Sequence, residues 1–505
     1  MMAAGFPLLS TLIFLPLAGV VILALLRGEG MAHEQLLRRV ALSTSLAVLA
    51  LSLVLWMRFD PSTAAYQFEE QATWLPGTGI TYHVGVDGIS VLLVMLTTIM
   101  APLCILGAWN AIRVRARDLL IALLLLEGIL IGVFSAMDLM LFYIFFEASM
   151  VPIFLIIGIW GGADRSRAAL KLFLYTMLGA LFMLLAVMVL WQLAGSTDLP
   201  DLLALSPSLT HHAQMWFFAA FALAFAIKLP LFPLHTWQPD AYAESPTAGS
   251  VMLGGVMLNM GSYGFLRFAI PLFPDAARTF SPLIFSLAAI AIVYASLIAI
   301  VQKDMKRTIA YSSVAHMGVV AIGLFSVNQH SISGAVMQML SYGVISGALF
   351  LSIGMLEERM RSQEIERFGG IAKVMPVFAT LFMLFTMAAV ALPGTTSFTG
   401  EFLVIVGAFK SSPWLSVAVS SAMILSVCYM LWLYRRVLFG AISREEVRRL
   451  VDLSPREMAI LAPLVVLTLW GGIYPSSFLD FFQASVSALV TRQEALLAAT
   501  KLAGL

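Results

Sequence analysis

Long apolar runs, separated by short polar stretches, set the rhythm of the chain. A bilayer core needs roughly 20 apolar residues per helix, so counting these runs predicts about fourteen transmembrane spans. They begin near Pro7, Val40, Ile89, Leu119, Leu139, Leu170, Gln214, Thr247, Ser281, Thr308, Ser331, Pro376, Pro413 and Met458. An even number places both termini on one side. The first run has no basic segment ahead of it and reads as a retained span, not a cleaved signal peptide. In the loop Phe59–Gly88, β-branched and aromatic residues flank an LPGTG turn, which predicts a short hairpin over the membrane surface. The stretch Arg448–Ala459 reads as a polar connection before the last span.

Composition agrees with the pattern. Of 505 residues, 61% are hydrophobic and 11% charged, with mean hydropathy +0.95. A soluble domain carries about 25% charged residues, so the chain is an all-α integral membrane protein. A net charge of +1 gives no sign of a nucleic-acid partner. Cys104 and Cys428 each lie in an apolar segment, with neither a disulfide framework nor metal-ligand spacing. No phosphate loop, dinucleotide fingerprint or nucleophile elbow is present, so the chemistry is movement of protons or ions.

Charge also orients the spans. With the termini outside, 22 of the 29 Lys and Arg residues fall in cytoplasmic loops, including Arg113, Arg115, Arg117, Lys306 and Arg307. Six, Arg267 among them, fall outside, and Lys228 alone is left within the membrane. The bias follows the positive-inside rule and puts both termini on the outer side.

An ionisable group at the bilayer centre costs at least about 2.5–3.5 kcal/mol, so each one is a functional candidate. Glu127 lies nine residues past Asp118, and Glu147 nine past Asp138. A helical rise puts both roughly 14 Å deep, on consecutive spans. The bland alternative for each is a carboxylate that merely ties two helices together. Lys228 stands in FAIKLPLFPLH, where Pro230 and Pro233 each remove a backbone donor and break the helix. Freed carbonyls are tolerated only against protein or a water-filled cavity, so a lysine there implies hydration and a carboxylate partner rather than mere snorkelling. A second break, LPGTTSFTGEF, precedes Glu401. Paired breaks point to a transporter built from repeats. Glu147 and Lys228 are 81 residues apart and His316 and Glu401 are 85, so His316 occupies in the second half the place Glu147 takes in the first. Histidine, with an unperturbed pKa of about 6.5, is the natural proton relay near neutral pH. The alternative is a histidine that only hydrogen-bonds a neighbour.

The stretches LFYIFFEASMVPIFLIIGIWGG, KLPLFPLHTW, PTAGSVML, YGFLRF, DMKRTIAYSSVAHMG, LPGTTSFTGEF and YMLWLYRRV resemble the antiporter-like M (chain-4-type) subunits of bacterial NADH:quinone oxidoreductase, respiratory complex I. The likeness runs from about Thr11 to Tyr474. It implies fourteen helices with two inverted five-helix repeats, each holding a broken helix. It further implies helices 1–3 and the hairpin in residues 1–110, the repeats in 111–270 and 271–440, and a connection with helix 14 in 441–505. By resemblance, Glu147 and Lys228 form a modulating ion pair, Glu401 exchanges protons at the outer side, and His316 lies on a hydrated axis between them. Flavin, iron–sulfur clusters and quinone would belong to the other membrane-arm and redox subunits, leaving this chain without a cofactor or metal and in contact with lipid, protons and partner subunits of a bacterial inner membrane.

The chain departs from the family pattern in the middle of that axis. Asn259 stands where a lysine is usual, Tyr342 where a histidine is usual, and WQPDAY replaces WLPDAH at Gln238 and Tyr242. Asparagine carries no transferable charge, and tyrosine, with a pKa of about 10, does not ionise readily at neutral pH. Either water and His316 bridge the gap, or the subunit has become a structural member of the arm. A stand-alone cation/proton antiporter and a hydrogenase-type membrane arm are the other functional classes compatible with the pattern.

Overall fold

The computed structural model describes residues 6–28, 30–111, 114–442 and 444–502; Arg113 lies outside them. The first two helices, α1 (Leu8–Leu25) and α2 (Met31–Arg58), lead into the expected hairpin. Its strands β1 (Gln67–Leu75) and β2 (Ile80–Val86) pair antiparallel about the turn. Next come α3 (Gly88–Gly107), α4 (Ala116–Ser135) and a span jointed at Ser149, made of α5 (Leu139–Ala148) and α6 (Met150–Trp160). The long α7 (Arg165–Ala194) and the surface helix α8 (Leu199–Leu205) follow.

The span containing Lys228 is interrupted. α9 (His211–Lys228) stops at the lysine, residues 229–236 form turns, and α10 (Trp237–Glu244) completes the segment. The prolines leave carbonyls without their helical donors, and the indole Nε1 of Trp237 covers one of them, donating to Ile227 O at 3.0 Å. The following segment is irregular as well. α11 (Thr247–Met252), α12 (Asn259–Gly264) and α13 (Ile270–Leu272) are joined by π-helical turns at Leu253–Met257 and Phe265–Ala269. These wide turns flank Asn259 on both sides, and such bulges concentrate at functional sites.

The second half runs through α14 (Pro274–Val301), α15 (Met305–Phe325) and α16 (Gln329–Met360). A second interrupted span follows, α17 (Pro376–Ala389) and α18 (Thr396–Ser411), split by a turn in which Ala391 and Gly394 have φ of 56° and 93°. Then come α19 (Pro413–Leu438), the short α20 (Glu445–Arg448) and α21 (Pro455–Ile473). Polar residues define several starts. Asp87, Asp138, Thr210 and Asp304 accept backbone N–H groups at the heads of α3, α5, α9 and α15, and Asn328 and Ser454 form capping boxes on α16 and α21.

Eleven spans among the described residues are continuous, long and apolar enough to cross a membrane. The three remaining positions expected from the sequence, beginning at Gln214, Thr247 and Pro376, are taken by the interrupted segments. α16 forms the centre, buried over most of its length and packed by α15, α18, α3, α11 and α21. Two faces result. One gathers the hairpin, α8, the start of α9 and the end of α18, as the bridge Asp138–Asp198 and the bonds from Ser411 to Ser326 and Gln214 to Asp275 attest. The opposite face gathers the loops rich in Arg and Lys, tied by Asp304–Glu364 and Arg359–Glu457. Phe218, near the start of α9, packs on Phe325 at the end of α15, beside which α18 ends, so α9 and α18 point in opposite directions.

One element was not anticipated and one sequence reading needs correction. After α21, a further helix α22 (Ser476–Leu502) lies across the hairpin face, bonding Gly88, Leu203 and Ile270 through Ser485, Arg492 and Gln493. Its Phe482 and Val486 are fully buried one helical turn apart. Lys306 and Arg267 are not loop cations. Lys306 is 0% exposed and paired with Glu357 at 2.8 Å. Arg267 pairs with Asp87 at 2.6 Å and lies over the rings of Tyr66 and Tyr263. Helix ends near these positions look like loops in a hydropathy count, yet both side chains turn inward to a carboxylate.

Candidate proton-transfer site

The two breaks present their charged residues differently. Lys228 is the last residue of α9, where the helix dipole favours a cation. It is buried among aromatic rings, with Nζ 5.2 Å from the centroid of Phe146. Phe142, Phe221 and Phe225 continue this wall. Among the described residues Lys228 makes no direct ion pair. Glu147, at the end of α5, is half-buried, and one of its carboxylate oxygens has no hydrogen-bond partner. The charges of Glu147 and Lys228 act on one another, but across a gap and not through contact.

The second site is closed. His316 Nδ1 and Glu401 Oε1 are 2.8 Å apart, with the two side chains 1% and 0% exposed. The amide of Gln338 donates to the same carboxylate oxygen at 3.0 Å and to Ser397 Oγ at 3.1 Å. Gly334 and Gly400 make this possible, because a Cβ on Gly400 would stand 2.8 Å from Gln338 N and one on Gly334 2.8 Å from Gly400 O. The backbones of α16 and α18 therefore touch. Tyr342 packs against the His316 ring at a tilt of 33°, centroids 4.7 Å apart, and its hydroxyl meets Ser313 Oγ at 2.9 Å. Tyr429 from α19 donates to Ser312 Oγ at 3.0 Å and stands 3.5 Å from His316 Nε2.

Between the two sites lies Asn259. Its amide nitrogen donates to Met339 O on α16 at 3.2 Å, while its amide oxygen is buried without a partner. Gly255 and Gly343 bring the two backbones together here, since a Cβ on Gly343 would stand 2.5 Å from Gly255 O. Nearer the basic face, both amide atoms of Gln238, Ser245 Oγ and His235 Nδ1 are likewise buried and unpartnered. Orphaned buried polar atoms are where buried water is ordinarily held.

Of the residues singled out from sequence, His316 and Glu401 are brought into contact. Glu147 and Lys228 face each other without touching, and Asn259 and Tyr342 lie between the pairs. Glu127 stands apart. It is fully buried on α4 but turns toward α2, accepting from Ser45 Oγ at 3.0 Å, with its other oxygen unpartnered. Sequence reasoning missed Gln338, Ser397, Ser312 and Tyr429. Being uncharged, they carry no burial cost large enough to draw notice.

Comparison with known proteins fits this geometry. Residues 136–426 match the family described as the NADH:quinone oxidoreductase/Mrp antiporter transmembrane domain. NADH-quinone oxidoreductase subunit M of Rhodobacter capsulatus is 48% identical over 500 residues, 97% of either chain. NADH-ubiquinone oxidoreductase chain 4 of Arabidopsis thaliana is 45% identical, covering 95% of this chain and 97% of that one. A chain in the structure of respiratory complex I from Thermus thermophilus with bound NADH superposes with a TM-score of 0.87 at 34% identity, covering 96% of this chain and 99% of that one. The fold alone is shared with a chain of the archaeal membrane-bound sulfane sulfur reductase, at a TM-score of 0.84 and 23% identity, over 94% of this chain and 77% of that one. The chain belongs to the subunit M (chain 4) family of NADH:quinone oxidoreductase.

Proposed function

We propose that this chain is a proton-translocating membrane subunit of an NADH:quinone oxidoreductase. Electrons pass through flavin, iron–sulfur clusters and quinone held by partner subunits, and this chain moves protons along its line of buried polar residues. It sits with other membrane-arm subunits in a bacterial inner membrane. The basic face is cytoplasmic and both termini are periplasmic, as the loop charges favour. Residues 111–270 and 271–440 act as the two inverted repeats, with Lys228 and Glu401 at their broken helices.

The observation that carries this reading is the fully buried His316–Glu401 pair beside a broken helix, in a chain that matches its relatives end to end. A pair of ionisable groups buried this completely is costly to keep and is a proton-path element by default. Glu147 and Lys228 form the modulating pair: when Lys228 loses its proton, the unpartnered Glu147 becomes the easier group to protonate. Glu127 has no bonded route to either pair, so its part is secondary.

The test is the ratio of protons moved to NADH oxidised in membrane vesicles. Glu147→Gln and Lys228→Ala lower this ratio while the assembled complex persists on a native gel. Normal ratios in both would reject the ion-pair role. Migration of the chain in a small assembly lacking flavin would instead identify a cation/proton antiporter.

A further inference from the structure

Replacement of the middle of the axis by Asn259 and Tyr342 leaves open how a proton reaches Glu401. We propose that in this chain a row of hydroxyls, Ser313, Tyr342, Ser312 and Tyr429, carries protons to His316, which hands them to Glu401. This inference rests on the proton-translocation reading above and names the residues that do the work.

The links are continuous. Ser313 Oγ to Tyr342 OH is 2.9 Å, Tyr342 OH to Ser312 Oγ 3.4 Å, and Tyr429 OH to Ser312 Oγ 3.0 Å. Tyr429 OH to His316 Nε2 is 3.5 Å, and His316 Nδ1 to Glu401 Oε1 is 2.8 Å. Four helices, α15, α16, α18 and α19, contribute, and no member is more than 1% exposed. A hydroxyl both donates and accepts, so each can take a proton from one neighbour as it gives its own to the next. No phenolate forms, which removes the objection that tyrosine does not ionise near neutral pH.

The transfer balances. Once its hydroxyl turns from Ser312 to His316, Tyr429 gives its proton to Nε2 of a neutral imidazole whose Nδ1–H faces Glu401, and the Nδ1 proton passes to the carboxylate. Tyr429 is refilled from Ser312, Ser312 from Tyr342, and Tyr342 from Ser313. One proton has moved, Glu401 has become a neutral acid, and His316 is neutral with its proton on Nε2. The two long links sit at the edge of hydrogen-bonding distance. They are the places where a shift of a few tenths of an ångström opens or closes the row.

The intact complex in vesicles provides the test, read as protons moved per NADH oxidised. Glu401→Gln fixes the level reached when this path is lost. Tyr342→Phe and Tyr429→Phe, which remove only an oxygen, are expected to fall to that level. Tyr263→Phe, outside the row, keeps the full ratio. Glu401→Gln lowering the ratio while either phenylalanine variant keeps it would overturn the hydroxyl row and leave the translocation reading standing. An unchanged ratio in Glu401→Gln would overturn both. Should the phenylalanine variants fail to assemble, Ser313→Ala gives the same reading without a bulky change. Infrared difference spectra supply a second signature: the carboxylic C=O band of Glu401 that rises on turnover is lost in Tyr429→Phe, and its persistence would overturn the proposal.

Discussion

The two broken helices solve one problem in opposite ways. At the first break, Lys228 is buried against phenylalanine rings with no bonded counter-ion, and Glu147 stands off with an unpartnered oxygen. At the second, Glu401 is gripped by His316 and Gln338, and a web of hydroxyls from three helices surrounds the pair. Low polarity makes an isolated charge responsive, because nothing nearby fixes its protonation state. A fully bonded pair is held in one arrangement. On the function proposed above, the first site switches and the second holds and releases.

The largest test of that contrast is stability. Breaking a buried, bonded pair costs about 3–5 kcal/mol, so Glu401→Ala should lower the thermal midpoint of the complex far more than Glu147→Ala. Equal losses would erase the distinction. A double-mutant cycle sharpens it. Groups in direct contact couple by about 0.5–3 kcal/mol, and His316 with Glu401 should fall at the upper end, whereas Glu147 with Lys228 should fall near the bottom.

Restoring the residues usual in the family probes the region between the sites. If the proposed hydroxyl row delivers protons to Glu401, Asn259→Lys combined with Tyr342→His should leave proton yield per NADH no higher than before. A higher yield would mark the natural chain as a weakened pump.

The smallest effect concerns pH at the hairpin. His83 on β2 lies 2.7 Å from Asp198. Burial opposes its charged form, but the hydrogen bond and charge of Asp198, helped by Glu69 and Asp138, raise its pKa above the usual value. A raised pKa stabilises the fold fully below the unfolded value of about 6.5 and loses that contribution as pH rises through the folded one. Hydrogen exchange at β1 and β2, corrected for intrinsic rate, should quicken as pH rises above about 6.5. No such change should appear at the C-terminal end of α18.

Much of this contrast was legible in residues alone. Runs of apolar residues marked the spans, and Pro230, Pro233, Pro393 and Gly394 marked the breaks. Ionisable residues within apolar runs marked the sites, because only a charge stands out against such a background. What escaped notice did so for the same reason. Gln338, Ser397 and Tyr429 are ordinary polar residues until three helices bring them together. α22 is too polar to read as a span, and its buried stripe of Phe482, Val486 and Val490 shows only as a spacing of four. Position along the chain also failed to reveal direction: Glu127 is fully buried but faces Ser45 on α2.

The breaks have one more consequence, in how the chain enters its membrane. α17 has 14 residues and α18 has 16, giving lengths of about 21 and 24 Å against a hydrocarbon core of about 30 Å. Neither half can partition as an independent helix, and α18 would carry Glu401 into lipid without His316. Insertion of this region must therefore follow α15 and α16, which supply the partner and the groove. During biogenesis, the order of the helices along the chain guarantees that order of arrival.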